Sequence, residues 1–413
     1  MNVYTAFILV ALVADFALVR AADVLNLHAL RLQPPGRDPA HHGRMREYTA
    51  ARIRFDMVAA TVELTLLLAF WFTGGFGWLD RAARRLLLGP VPTGLLFLGA
   101  LALAHTLLAM PLRWWSTFVI EARFGFNTTT PRTFWTDLVK GLALAVVLGG
   151  PLLSAVLWLF GATEWAWLWC WVVSAVFAVA IEFVVPTWIL PLFNRFTPLP
   201  EGPYRSGILA YARAVAFPLE DVFVIDGSRR STKANALFTG FGRHKRVALF
   251  DTLLEKLDAG EVVAVVAHEV GHYQLGHVVR ALLVGIAQMG ALFFLLSRFL
   301  GERALFAAFS VAEPSVHAGL VLFALLLTPF ERVASIALHA WSRRNERAAD
   351  AFAARTTGAG GPLASALDRL STDALSNPTP HPLYVALHYS HPPVRDRIRA
   401  LGPAGHPRGT LRC

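Results

Sequence analysis

The sequence predicts an all-α polytopic membrane protein with about seven transmembrane helices and a small α+β region carried on one side. Hydrophobic residues make up 55% of the 413 and charged residues only 16%, too little polar surface for a soluble protein. Seven stretches approach the ~20 apolar residues that cross a bilayer. Trp78, Trp114, Trp165 and Trp188 stand near the ends of such stretches, where amphipathic rings prefer the membrane interface.

The stretches are Tyr4–Ala21, Met57–Phe76, Thr93–Trp115, Leu142–Phe160, Trp167–Trp188, Val278–Phe299 and Ala318–Leu338. The first is short and carries Asp15. Its start, Met1-Asn2-Val3-Tyr4, has no basic residue, so it reads as a membrane helix rather than a cleaved signal. Between the fifth and sixth stretches lies a polar region, Asn194–His277, and a second, Ser342–Cys413, follows the seventh. Within the first region Asp221–Ile225, Asn235–Phe238 and Arg246–Phe250 read as strands, with a turn at Gly240–Gly242. Asp258 with Glu261 three residues on resembles a capping box opening a helix. No Pro or Gly follows Gly260 until Gly271, so that helix is expected to run through His272 into the sixth stretch. Gly402–Arg412 reads as a frayed tail.

The formal net charge of +10 could suggest nucleic acid, but its distribution suggests topology. Seven crossings place the second, fourth and sixth loops on the side of the N-terminus. Those loops and their borders carry only Arg81, Arg84, Arg85, Arg298 and Arg303, while Arg44, Arg52, Arg123, Lys140, Arg229, Arg230, Lys233, Lys245 and Arg343 lie on the other side. The positive-inside rule makes that other side cytoplasmic, next to anionic lipid; no nucleic-acid partner is expected. Cys170 and Cys413 are the two cysteines, so neither a disulfide framework nor a cysteine metal site is available. A terminal Cys with nothing after it is not a prenylation box.

The chemistry concentrates in His268-Glu-Val-Gly-His272. Positions i and i+4 share a helix face, so both imidazoles can hold one Zn²⁺. Glu269 projects about 100° away, within reach of a water beside the metal as general base. A third ligand is needed, and Ser342-Arg-Arg-Asn-Glu346-Arg-Ala-Ala-Asp350 offers carboxylates at i and i+4. Glu346 is the ligand candidate, and Asp350 can orient a ligand imidazole. A solvated helix face with Arg–Glu pairing is the competing reading. Topology favours the metal: His272 precedes the sixth stretch by about 6 residues and Glu346 follows the seventh by about 8, so both sit about 10 Å from the membrane edge. His277 reads as structural, on another face of the same helix. His105, His317 and His339 have no metal spacing.

The chain resembles the integral-membrane CAAX prenyl proteases, gluzincin-type zinc endopeptidases that trim prenylated proteins and have bacterial relatives. The likeness rests on several segments in order. They are Phe124-Gly-Phe-Asn-Thr128 with Asp137 and Lys140, Pro191-Leu-Phe-Asn-Arg-Phe-Thr-Pro-Leu199, and Lys233-Ala-Asn-Ala-Leu-Phe-Thr-Gly240 with Val247–Asp251. Ser342–Asp350 and Tyr389-Ser-His-Pro-Pro393 complete the set. The Ala- and Arg-rich composition suits a bacterial member.

The resemblance implies one Zn²⁺ per chain on His268, His272 and Glu346, Glu269 as catalytic base, and Asp350 as second-shell acid or proton donor. It implies that Asn235, Ala236, Leu237 and Phe238 form an edge strand pairing with an extended substrate. His391 and Arg397 would steady the oxyanion or bind a substrate carboxylate. The implied organisation is residues 1–193 as five transmembrane helices and 194–413 as the metallopeptidase region with the last two. The implied partners are a peptide or lipidated protein and membrane lipid, at the cytoplasmic face of the inner cell membrane. In this family the helices enclose a water-filled chamber, which Glu63, Glu182 and Arg332 could line. One departure is Ala374, where the family's Asn is expected. A heat-shock-type quality-control protease shares the zinc motif but has about four spans. A non-enzymatic isoprenoid or lipid binder would require a broken site, against which the intact Glu269 speaks.

Overall fold

The computed structural model describes residues 2–34, 38–239 and 245–402. The turn at Gly240–Gly242 and the tail from 403 lie outside them.

Helices dominate, and their starts follow from capping chemistry. Asn2 accepts from Thr5 N to open Val3–Leu32, Asp38 accepts from Ala40 N and His41 N to open Pro39–Phe72, and Thr130 accepts from Thr133 N before Pro131. These side chains satisfy donors that a first helical turn leaves unpaired, and proline at the first position lacks that donor. Among the described residues six helices are long and apolar enough to cross a membrane: Pro39–Phe72, Pro90–Glu121, Pro131–Ala162, Ala166–Phe193, His277–Phe299 and Val316–Thr356. They contain five of the seven expected stretches in full and Met57–Phe76 as far as Phe72.

The helix over the first stretch, Val3–Leu32, stands outside that set. It nevertheless runs the height of the bundle. Asn2 Nδ2 donates to Ala304 O at one end, and Gln33 Nε2 donates to Asn377 Oδ1 at the other. Thirty residues make about 45 Å of helix, more than the ~30 Å hydrocarbon core.

From the third span onward each packs on its sequence neighbour, and the seventh returns to the first and also touches the third. Trp71, Phe97, Phe306, Phe309 and Leu322 close one end; Leu30, Met45, Tyr48, Phe124 and Phe126 close the other. In the six apolar helices only 6–17% of the most apolar stretch is buried by protein, so most of that surface is left for lipid or for space between the spans. Glu63 and Glu182 are exposed. Arg332 is otherwise engaged: its Nε lies 2.5 Å from Asp15 Oδ1 and its Nη2 3.0 Å from Oδ2. The seventh and first helices thus neutralise each other's charge, as charges at membrane depth require.

On the arginine-rich end sits a four-stranded sheet in the order β1–β2–β4–β3, from Phe196–Pro198 (β1), Leu219–Ile225 (β2), Ala236–Thr239 (β3) and Lys245–Phe250 (β4). Strands β2, β3 and β4 match the three expected; β1 is too short to show a period. β3 lies at an edge, antiparallel to β4 with Ala236 opposite Leu249 and Phe238 opposite Val247. Asn235 precedes the strand but its carbonyl still accepts from Phe250 N at 3.0 Å. The sheet and the helices Pro203–Ala214, Ala259–Gln274 and Gly361–Asp373 share a core that includes Ile208, Val222, Leu249, Val266 and Leu363.

One connection differs from expectation. The helix opened by Asp258 and Glu261 is capped as anticipated, with both halves of the capping box formed. It ends at Gln274 instead of entering the membrane. Gly276, at φ +67°, reverses the chain locally before His277–Phe299 begins, a conformation that glycine adopts without steric cost.

Candidate metal centre

Two helices build the site: Ala259–Gln274 and the far end of the 41-residue rod Val316–Thr356. They approach closely because Gly271 faces the buried Ala349, whose Cα would lie 3.3 Å from a Cβ at Gly271. Glycine inside the motif thereby sets the distance between imidazoles and carboxylate.

His272 Nε2 lies 3.2 Å from His268 Nε2 and 3.2 Å from Glu346 Oε1. His268 Nε2 stands 3.5 Å from Glu346 Oε2. One ligand atom from each of the three falls within a mutual 4.8 Å. Glu346 Oε2 is buried and has no hydrogen-bond partner. Two ring nitrogens converging on a carboxylate, with an orphaned buried oxygen, fit a tetrahedral zinc site with its fourth position free for water or substrate.

Each imidazole is oriented from behind. His268 Nδ1 is 2.9 Å from Asp350 Oδ1. Asp350 is gripped by Arg397, whose Nε donates to Oδ2 at 2.9 Å and Nη2 to Oδ1 at 2.7 Å. Arg397 is buried and turned to this carboxylate, with Nη1 3.7 Å from Glu346 Oε2. His272 Nδ1 meets His277 Nδ1 at 3.1 Å. His277 is therefore not on another face of the metal helix but at the start of the next, brought back by the Gly276 turn. Leu275-Gly276 was the sequence signal for that break.

Burial pulls the His268 imidazole toward its neutral form, but the neighbouring carboxylates of Asp350 and Glu346 outweigh it and raise its pKa to about 9. The Glu269 carboxyl is raised by burial, which the neighbouring imidazoles partly oppose. A partly desolvated carboxylate with a raised pKa suits a proton acceptor near neutrality.

Over the open side stands His391, with a side chain 60% exposed and its Nε2 3.3 Å from Glu346 Oε1. Ser390 Oγ lies 2.8 Å from His391 Nδ1. Arg343, on the Glu346 helix, holds this segment by donating to Val385 O at 3.2 Å and Tyr389 O at 2.7 Å. Sequence reasoning counted Arg343 only among the charges that mark the cytoplasmic side.

Other motif residues hold one another in a separate cluster. Arg230 forks onto Asp137 at 2.7 and 2.9 Å and donates to Asn194 Oδ1 at 2.9 Å. Asn127 bridges Ser231, and Lys140 donates to Leu192 O at 2.7 Å. The loop after the third span, the turn after the fifth and the segment before β3 are thus tied together. His317 is buried against Asp80 at 2.7 Å, far along the chain from the metal residues.

Residues 198–403 match the model of peptidase family M48, and residues 35–195 match the CAAX prenyl protease N-terminal model, described as five membrane helices. CAAX prenyl protease 1 of Saccharomyces cerevisiae is 34% identical over 87% of this chain and 85% of its own length. The chain belongs to peptidase family M48. A homolog of that protease from Arabidopsis thaliana is 35% identical over 87% of the chain, and one from Homo sapiens 33% over 82%. The crystal structure of S. mikatae Ste24p superposes with a TM-score of 0.90 at 32% identity, covering 97% of this chain and 99% of that one. This M48 protein is a multi-pass membrane zinc metalloendopeptidase. The agreement along the whole chain, including the N-terminal helices, favours the CAAX-type reading over the quality-control and lipid-binder alternatives. The relatives named are eukaryotic.

Proposed function

We propose that this metalloprotease cuts peptides carrying a lipidated, CAAX-like C-terminus, using one zinc ion per chain held by His268, His272 and Glu346. The observation that carries the reading is the convergence of those three side chains around the unpartnered Glu346 Oε2. A zinc ion there supplies Lewis acidity toward a peptide carbonyl and makes water a competent nucleophile near neutral pH.

Glu269 accepts the proton of the attacking water and returns it to the leaving amine. Asp350, locked by Arg397, keeps the His268 ring in the tautomer that presents Nε2, as outer partners of metal-binding histidines do. In this arrangement Arg397 is a positioning residue, and the oxyanion role falls to His391, the exposed donor on the open side. The free edge of β3, from Ala236 through Leu237 to Phe238, can align an extended substrate by backbone pairing, with Asn235 at its entrance. The charge asymmetry of the loops supports a site on the cytoplasmic side of the cell's inner membrane.

The test is zinc content and cleavage of an S-prenylated C-terminal peptide by purified wild-type and Glu269→Gln protein. Expected are one zinc per chain in both and turnover in the wild type alone. Turnover by Glu269→Gln, or a wild type without zinc, would contradict the proposal.

A further inference from the structure

A cavity of about 470 Å³ opens between the first two helices, Val3–Leu32 and Pro39–Phe72, at their arginine-rich end. Leu27, Leu30 and Ala50 give it an apolar floor. Four arginines, Arg31, Arg46, Arg54 and Arg123, also line it, with Glu47 as the one acid. Glu47 is taken by Arg123 at 3.6 Å. Glu121, two residues before Arg123, is taken by Tyr48 at 2.8 Å, Arg52 at 3.4 Å and Lys233 at 2.9 Å. Among the described residues no carboxylate pairs with Arg31, Arg46 or Arg54, and Arg46 Nη2 donates only to the Arg31 carbonyl, at 3.4 Å. The cavity therefore carries uncompensated positive charge. None of its residues belongs to the metal centre.

We infer that this cavity binds the headgroup of an anionic phospholipid carrying more than one phosphate. Arg54 stands about 5 Å of helix before the apolar stretch that starts at Met57, at the depth of the headgroup layer. Arg46 lies two turns farther out, so the guanidiniums span more depth than one phosphate fills. Like charges gathered in a cleft focus their field on its mouth, and an anion there removes a repulsion that the helices otherwise bear. Basic pockets between membrane helices recognise such headgroups, through charge-assisted forks from arginine to phosphate oxygens. The floor of Leu27 and Leu30 selects a lipid over free phosphate, which would satisfy the arginines and leave the leucines uncovered. An acidic peptide fits less well, because at this depth its backbone would lose hydrogen-bond partners. Arg31 belongs to the first helix and Arg46 and Arg54 to the second, so a bound headgroup staples the two and raises the melting temperature. Gly43 also lines the cavity, and a Cβ there meets nothing within 4 Å. A bulky residue at 43 therefore fills the site without pressing on the fold.

The experiment titrates full-length protein in nonionic detergent with cardiolipin, phosphatidylglycerol or phosphatidylcholine and follows the melting temperature. For the wild type, cardiolipin should raise it saturably, with half-saturation at a concentration at least ~tenfold below that of phosphatidylglycerol. Phosphatidylcholine should leave it unmoved. Arg46→Gln with Arg54→Gln should weaken the cardiolipin response at least ~tenfold. Gly43→Phe, which keeps every arginine, should weaken it as much while its zinc content and lipid-free melting temperature stay at wild-type values. A wild type that responds equally to cardiolipin and phosphatidylcholine overturns the inference. So does a Gly43→Phe protein with the full cardiolipin response. Inorganic phosphate that reproduces the wild-type shift would make this a free-anion site, and displacement of cardiolipin by poly-glutamate would make it a protein-docking surface; either overturns the lipid assignment.

Discussion

Gly271 faces Ala349 where the two helices carrying the metal residues meet, with Phe352 alongside: a Cβ on Gly271 would stand 3.1 Å from Phe352 Cδ1 and 3.3 Å from Ala349 Cα. The first contact can yield by side-chain movement, the second only by moving a helix. Gly271→Val should therefore part the helices and weaken metal binding despite valine's better intrinsic helix propensity. Overpacking of this kind costs about 1–3 kcal/mol. Differential scanning fluorimetry with zinc quantification checks it: a lower melting temperature and lost zinc are expected, and a stabilised, fully loaded variant would refute the packing argument.

The Asp350–Arg397 pair is buried, so removing one member strands the other. Arg397→Ala should destabilise the protein by about 3–5 kcal/mol and weaken zinc binding by about 10–100-fold through a misoriented His268. Competition with a chromogenic chelator measures the affinity. If Arg397 instead served chiefly to bind a substrate carboxylate, KM would rise with zinc affinity intact.

His277 supports the other imidazole. His277→Ala should weaken zinc affinity about 10–100-fold, and His277→Gln, which keeps an acceptor in place, should recover part of it. An alanine variant with native affinity would reduce His277 to packing.

Metal binding should expel a proton. The metal-free His268 imidazole has its pKa raised to about 9 by Asp350 and Glu346, against the downward pull of burial. Below that pH an incoming ion must displace this proton, so affinity rises with pH. The expected slope is about one decade per pH unit between about pH 6 and 8. Calorimetry in buffers of different ionisation enthalpy reads the proton count directly; no released proton would contradict the arrangement.

Much of this was legible in the residues. Apolar stretches of membrane length marked six helices, and His268–His272 with Glu346–Asp350 marked the metal site, because side-chain period and loop topology are local properties of a chain. The first helix was legible in kind but not in length, since its end at Leu32 extends well past the apolar stretch. Three features depend on tertiary placement and left weaker traces. The Gly276 reversal brings His277 back onto His272. Arg332 finds Asp15 over 300 residues away. Arg397 could be named from a motif, but only the packed helices reveal that its guanidinium faces Asp350.

X-ray absorption at the zinc K-edge on purified protein tests the central claim most directly. The account predicts nitrogen and oxygen ligands only, at about 2.0–2.2 Å, with an outer-shell pattern of two imidazoles that drops to one in His272→Ala. Sulfur in the first shell, or a spectrum unmoved by substitution of His268, His272 or Glu346, would contradict it.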